Sequence, residues 1–248
     1  MKHLYIILLI LPLIGFGQGW EQTFGGEEDD SGFSVQKTFD GGYIITGVTG
    51  SFFNDTEDVY VLKTDGSGNE QWSQTFGGIN NDSGRSVKQT NDGGYIITGS
   101  TFSFGNEDSD VYLIKTDGSG NEQWSQTFGG TVNDFGRSVQ QTYDGGYIVT
   151  GNTLSFGDGY SDFYLIKTDG NGNEQWSQTF GGEEDDRSIS VQQTSDGGYI
   201  ITGLTSSFGN GNDDVYLIKT DDQGNVTSTT ELPTPTSKRE LIKTTNIL

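Results

Sequence analysis

The 248-residue chain has no cysteine, and its one histidine is His3. Without thiols there is no disulfide, no thiolate nucleophile and no lipidated cysteine. Without histidine beyond position 3, Ser-His-Asp and Cys-His sites and ordinary zinc or copper sites are excluded from the rest of the chain. Hydrophobic residues make up only 30%, and no stretch keeps a helical period, which argues against a helical bundle. The apolar run at residues 4–14 is too short to span a bilayer, so no membrane insertion is expected. Positive charge is scarce. The 13 Lys+Arg stand against 35 Asp+Glu, a net charge of −22. Nucleic acid and anionic membrane surfaces would be repelled and are not expected as partners.

What the chain has is glycine, 39 residues of it, and a repeat. The phrase NEQWSQTFGG begins at Asn69, Asn121 and Asn173, and a near copy, GWEQTFGG, begins at Gly19. The four tryptophans, Trp20, Trp72, Trp124 and Trp176, are therefore 52 residues apart. One period holds four short β-branched and aromatic stretches: SVKQT (a), GYIITGST (b), DVYLIKTD (c) and EQWSQTFGG (d). The a–b link NDGG and the c–d link DGSGN are hairpin signals, because Gly and Asn accept positive φ. Four antiparallel strands in about 50 residues is the pattern of a β-propeller blade. The chain opens on a lone d strand and ends its last repeat on a c strand. The expected fold is therefore all-β: four four-stranded blades, closed into a ring when residues 20–26 pair with the c strand at residues 215–221. Residues 225–230, NVTSTT, are the competing candidate for that edge.

The phrase GG…DD.G.SV..T.DGGYIITG.T resembles the SBBP-type β-propeller repeats of bacterial secreted proteins. The order SVQQT, DGG, YIVTG, YLIKTD, GNG, NEQW is similar to NHL-type blades. The resemblance covers residues 19–222. It implies that strand a is innermost and lines the axis with Ser, Gln and Thr. It implies little about activity.

The ends read differently. Residues 1–17 have a basic start, an apolar centre and small residues before Gln18, as in a secretory signal peptide, so a secreted or cell-surface location is expected. Residues 18–230 are the repeat domain and 231–237 a Pro/Thr linker. Residues 238–248, with LIK, resemble the truncated start of a type IX secretion C-terminal sorting domain; an unrelated tail is the other reading.

Carboxylates dominate the remaining chemistry. Asp30, Asp82, Asp134 and Asp186 share one column of the repeat, and Asp58, Asp110, Asp162 and Asp214 another. Fourfold recurrence points to loops held by bonds to backbone N–H groups rather than to catalysis. Function is expected where the repeats differ, in the d–a and b–c links on one face. There Arg85 and Arg137 share a column with Phe33 and Ile189, and the loop GDGYS adds Asp158 and Tyr160. Arg85, Arg137, Phe33, Tyr160 and Asp158 are the expected ligand-binding residues. Glu27, Glu28, Asp29, Asp30, Glu183, Glu184, Asp185 and Asp186 form the densest charge and are the candidate metal ligands. Calcium is the cofactor they would suit, since only oxygen donors are on offer. The expected protein is a monomeric, non-enzymatic binding or structural module for a protein or glycan. A carboxylate-dependent carbohydrate-active enzyme is the alternative, and it would need a carboxylate pair beside aromatics in one asymmetric pocket.

Overall fold

A computed structural model describes residues 19–51, 56–106 and 108–226. The proposed signal peptide, the Pro/Thr linker and the sorting-domain resemblance lie outside the described residues, as does most of NVTSTT.

Fifteen strands form four antiparallel sheets, each with its strands in chain order. The first sheet is β1 (Asp30–Lys37), β2 (Tyr43–Thr49), β3 (Asp58–Thr64) and β4 (Glu70–Phe76). The second is β5 (Asp82–Gln89), β6 (Tyr95–Thr101), β7 (Asp110–Thr116) and β8 (Glu122–Phe128). The third is β9 (Asp134–Gln141), β10 (Tyr147–Thr153), β11 (Asp162–Thr168) and β12 (Glu174–Phe180). The fourth has three strands, β13 (Asp186–Gln193), β14 (Tyr199–Thr205) and β15 (Asp214–Thr220). The hairpins fall at the expected turns. Gly93 sits at φ 85° between β5 and β6, a conformation that costs an L side chain about 1 kcal/mol or more.

Strand a begins earlier than the sequence suggests. Asp82-Ser-Gly-Arg reads as loop, yet β5 starts at Asp82. The Asp82 N–H donates at 2.6 Å to the carbonyl of Glu57, the residue just before β3, which anchors the strand start. A bulge between Gly84 and Ser86 then resets the register against β6. Gly84 lies so close to Thr46 that a Cβ there would collide with the threonine hydroxyl. The d–a links are thus shorter than they read.

Successive sheets stack face to face, and each of the three junctions has its own hydrophobic cluster. At the first junction Ile44, Val59, Val61 and Phe76 meet Val87, Tyr95, Ile97 and Tyr112. Trp72 closes the edge, its ring 5.7 Å from that of Tyr95. The sheets in the middle of the stack are covered on both sides, so β6 and β7 are buried at every position. Complete burial of one such aliphatic side chain is worth about 1.5–3 kcal/mol.

The two ends of the stack are open. The segment at residues 20–26 is not a strand and pairs with nothing in β15, whose outer edge has no partner strand among the described residues. It lies instead beside the first sheet. Trp20 packs edge-on to Tyr43 with 5.8 Å between ring centroids, in the place that Trp72 takes beside Tyr95 at the first junction. Trp20, Phe24, Val35, Tyr43, Ile45 and Leu62 line an apolar groove of about 390 Å³. The expected ring closure is therefore absent from this structure.

Candidate functional site

The d–a and b–c links meet at one end of the stack. The Glu28 N–H donates to Ser51 Oγ (3.1 Å), Asn80 N–H to Ser103 Oγ (3.0 Å) and Glu184 N–H to Ser207 Oγ (3.0 Å). The tight hairpins meet at the other end. There Lys63 Nζ is buried and donates to Asp40 Oδ2 (2.9 Å), the Thr64 carbonyl (2.8 Å) and Gln71 Oε1 (2.8 Å). Lys115 and Lys167 repeat the arrangement with Asp92 and Asp144. All three donors of each ammonium are used, so these lysines brace hairpins and are not available as nucleophiles.

On the variable face the structure brings three of the expected ligand-binding residues together. The Arg85 guanidinium lies 4.2 Å from the centroid of the Phe33 ring. Arg85 and Arg137 both line a pocket of about 220 Å³, with Glu57, Asn81, Phe102 and Phe135. Arg137 is 5.7 Å from the Phe135 ring. Burial, with the nearby charges of Arg85 and Arg187, draws the Arg137 pKa down. Arg187 is held by Asp185 at 3.0 Å, whereas Arg85 and Arg137 have no ion pair among the described residues. In a chain this acidic, two unpaired guanidiniums stacked on aromatics form a local cationic centre. Tyr160 and Asp158 are exposed and do not line this pocket. Their loop abuts the next one, since a Cβ on Gly159 would crowd Glu183. Phe102, Phe135 and Arg187 join the site unannounced. Each sits at a repeat position held by different residues in the other copies, which was the available signal.

The eight candidate metal ligands do not converge. Glu27, Glu28, Asp29, Glu183 and Glu184 are exposed, and Asp185 faces Arg187. Asp30 accepts from the Gly26 N–H (2.8 Å) and Ser51 Oγ (2.9 Å). Asp186 is buried and accepts from the Gly182 N–H (2.8 Å) and Ser207 Oγ (2.7 Å). Among the described residues no group of three or more such side chains gathers around one point.

The inner strands form a polar hollow of about 510 Å³ lined by Gln36, Gln89, Ser138, Gln140 and Gln192. Its glutamines tie sheet to sheet: Gln89 N–H donates to Gln36 Oε1 (2.7 Å) and Gln193 N–H to Gln140 Oε1 (2.8 Å).

No protein-family model matches the chain, and no curated protein matches its sequence.

Proposed function

We propose that the chain is a secreted, non-enzymatic β-propeller that binds a protein or glycan ligand through an anionic group on the variable face. The observation that carries this reading is the unpaired Arg85–Arg137 centre, stacked on Phe33 and Phe135 within a strongly acidic chain. A guanidinium held flat on an aromatic ring keeps its donors free for a carboxylate, sulfate or phosphate. The surrounding negative charge disfavours polyanions and leaves room for a small acidic group presented on a neutral scaffold.

The same reading includes a closed ring of four blades. The fourth sheet offers Ile200, Val215 and Leu217, and residues 20–26 offer Phe24, in the columns that Ile44, Val59, Val61 and Phe76 fill at the first junction. The open groove on the first sheet offers Val35, Tyr43, Ile45, Tyr60 and Leu62, in the columns of Val87, Tyr95, Ile97, Tyr112 and Ile114. The two ends are complementary halves of a fourth junction, and closing it removes both exposed sheet edges. The likeness of the repeats to SBBP-type and NHL-type blades supports closure as well.

A carboxylate-dependent enzyme is less well supported. Asp58, Asp82, Asp110, Asp134, Asp162 and Asp186 are buried and recur with the repeat, whereas catalysis needs one accessible pair in an asymmetric pocket.

A glycan array of neutral, carboxylated and sulfated sugars, run on the mature protein and on R85A/R137A, tests the binding reading. Acidic sugars should be retained by the former and lost by the latter, with the melting temperature unchanged. Equal retention by both proteins overturns the assignment of the site.

A further inference from the structure

The two aspartate columns of the repeat, 24 residues apart within one copy, meet across each junction between sheets. Asp58 of β3 faces Asp82 of β5, Asp110 faces Asp134, and Asp162 faces Asp186. Their contact is marked by the glycine between them. A Cβ built on Gly77 would collide with Asp58 Oδ1 and lie 2.6 Å from Asp82 Oδ2. Gly129 stands in the same relation to Asp110 and Asp134, and Gly181 to Asp162 and Asp186. All six side chains are buried, Asp58 at 4% exposure and Asp82 at 1%.

Half of each pair is explained by local bonding. Asp82 Oδ2 accepts from the Gly78 N–H (2.9 Å) and Ser103 Oγ (2.6 Å), which fastens the d–a link to the b–c link. Asp110 Oδ2 accepts from the Asn106 N–H at 2.7 Å. The other half is not. The Oδ1 atom of every one of the six is buried and has no hydrogen-bond partner among the described residues. A buried polar atom without a partner is expensive, and two carboxylates facing each other add repulsion to that cost. Such a cost, met three times in one chain, calls for a compensating positive charge. Among the described residues, no Lys or Arg is within ion-pair reach of these aspartates.

We propose that each pair holds a divalent metal ion of the calcium class between adjacent sheets. The donors are oxygens only, with no imidazole or thiolate, which suits a hard cation and disfavours zinc or copper. Two carboxylates balance its charge, and backbone oxygens and water complete its shell. Glycine at positions 77, 129 and 181 makes room for the two carboxylates to approach each other, since a Cβ there would occupy the place of their oxygens. The site differs from the exposed Glu27–Asp29 and Glu183–Glu184 clusters, and it does not depend on what the variable face binds. Asp30 Oδ1 is also buried without a partner, and Asp214 is its counterpart on the last sheet; a closed ring would bring these two together as a fourth pair.

The test is calorimetric titration of calcium into chelator-stripped mature protein at constant ionic strength. At least three equivalents should bind per chain, and D58N/D82N should bind one fewer. The variant E27Q/E28Q/E183Q/E184Q should bind as many as the parent. Should D58N/D82N fail to fold, terbium on the unaltered chain gives a second readout. Tyr112 lies within electrostatic reach of Asp58 and Asp82, so bound terbium should show tyrosine-sensitised emission that calcium competes away. Absence of calcium binding, with no terbium emission, overturns the proposal. Loss of binding in the glutamate variant alone overturns it in favour of the surface loops.

Discussion

Val111 in β7 is wholly buried, while Val215, the same residue of the same seven-letter strand DVYLIKT in β15, is 83% exposed. Identical sequence meets two environments because β7 has a neighbouring sheet on each side and β15 on one only. The period-two alternation of burial in β14 and β15 is a property of position in the stack rather than of the residues.

Val215 therefore reports on ring closure. If the fourth junction forms in solution, V215D should cost more than about 2 kcal/mol, because it buries an unpaired charge where an aliphatic side chain belonged. If the stack stays open, the change should fall within about 0.5 kcal/mol. Urea unfolding of V215D beside V111D decides between them, and scattering from the native chain should agree on ring or arc.

The hairpin ion pairs predict an acid limit. Burial works to raise Asp92, but the Thr90 hydroxyl, Lys115 and the Gly94 N–H outweigh it and hold the carboxyl at about 2; Asp144 is held at about 2 in the same way beside Lys167. A carboxylate with a depressed folded pKa stabilises fully above its unfolded value, near 4, and loses that contribution as pH falls through the folded value. Unfolding free energy should therefore drop between about pH 4 and 2, and less steeply in D92N/D144N. Both carboxylates are more than half exposed, so the difference will be modest. Equal slopes in parent and variant would mean the pairs contribute nothing.

Two glycines one turn apart should respond unequally to alanine. At Gly99 a Cβ would run into the Ser83 carbonyl across the β5–β6 bulge, so G99A should cost more than about 2 kcal/mol. At Gly93 the space is open and only the positive φ is at issue, so G93A should cost about 1 kcal/mol. Thermal melts of the two variants would expose an error if the order were reversed.

Export is checked by the mature N-terminus. Mass spectrometry of secreted protein should find a chain beginning near Gln18; an intact Met1 on membranes would identify the segment as an anchor.

The strand order and hairpins were legible because Gly-rich turns mark every boundary and the period repeats them. The start of strand a was not. Asp82-Ser-Gly-Arg carries no β signal of its own and becomes a strand where its first N–H bonds to Glu57, in the link just before β3. Arg85, Arg137 and Phe33 were found because their column breaks the repeat, and they do gather. Asp158 and Tyr160 met the same criterion yet stand outside the pocket, since column variation says nothing about distance from the centre. The buried aspartates were visible as two columns, and a role in fastening loops was legible for Asp82 Oδ2. Their meeting across a junction was not, because residues 24 apart in one copy belong to different sheets.

The tryptophan contacts recur at all three junctions and the glutamine bonds at the first and third, so the junctions are close to equivalent. Excising any 52 residues between two copies of NEQWSQTFGG rejoins like to like, and duplicating them inserts a sheet whose neighbours already fit. A gene of this kind can gain or lose a whole structural unit in one unequal exchange without creating a new interface. In the closed ring proposed above, the number of copies would be limited by the need for the first and last sheets to meet.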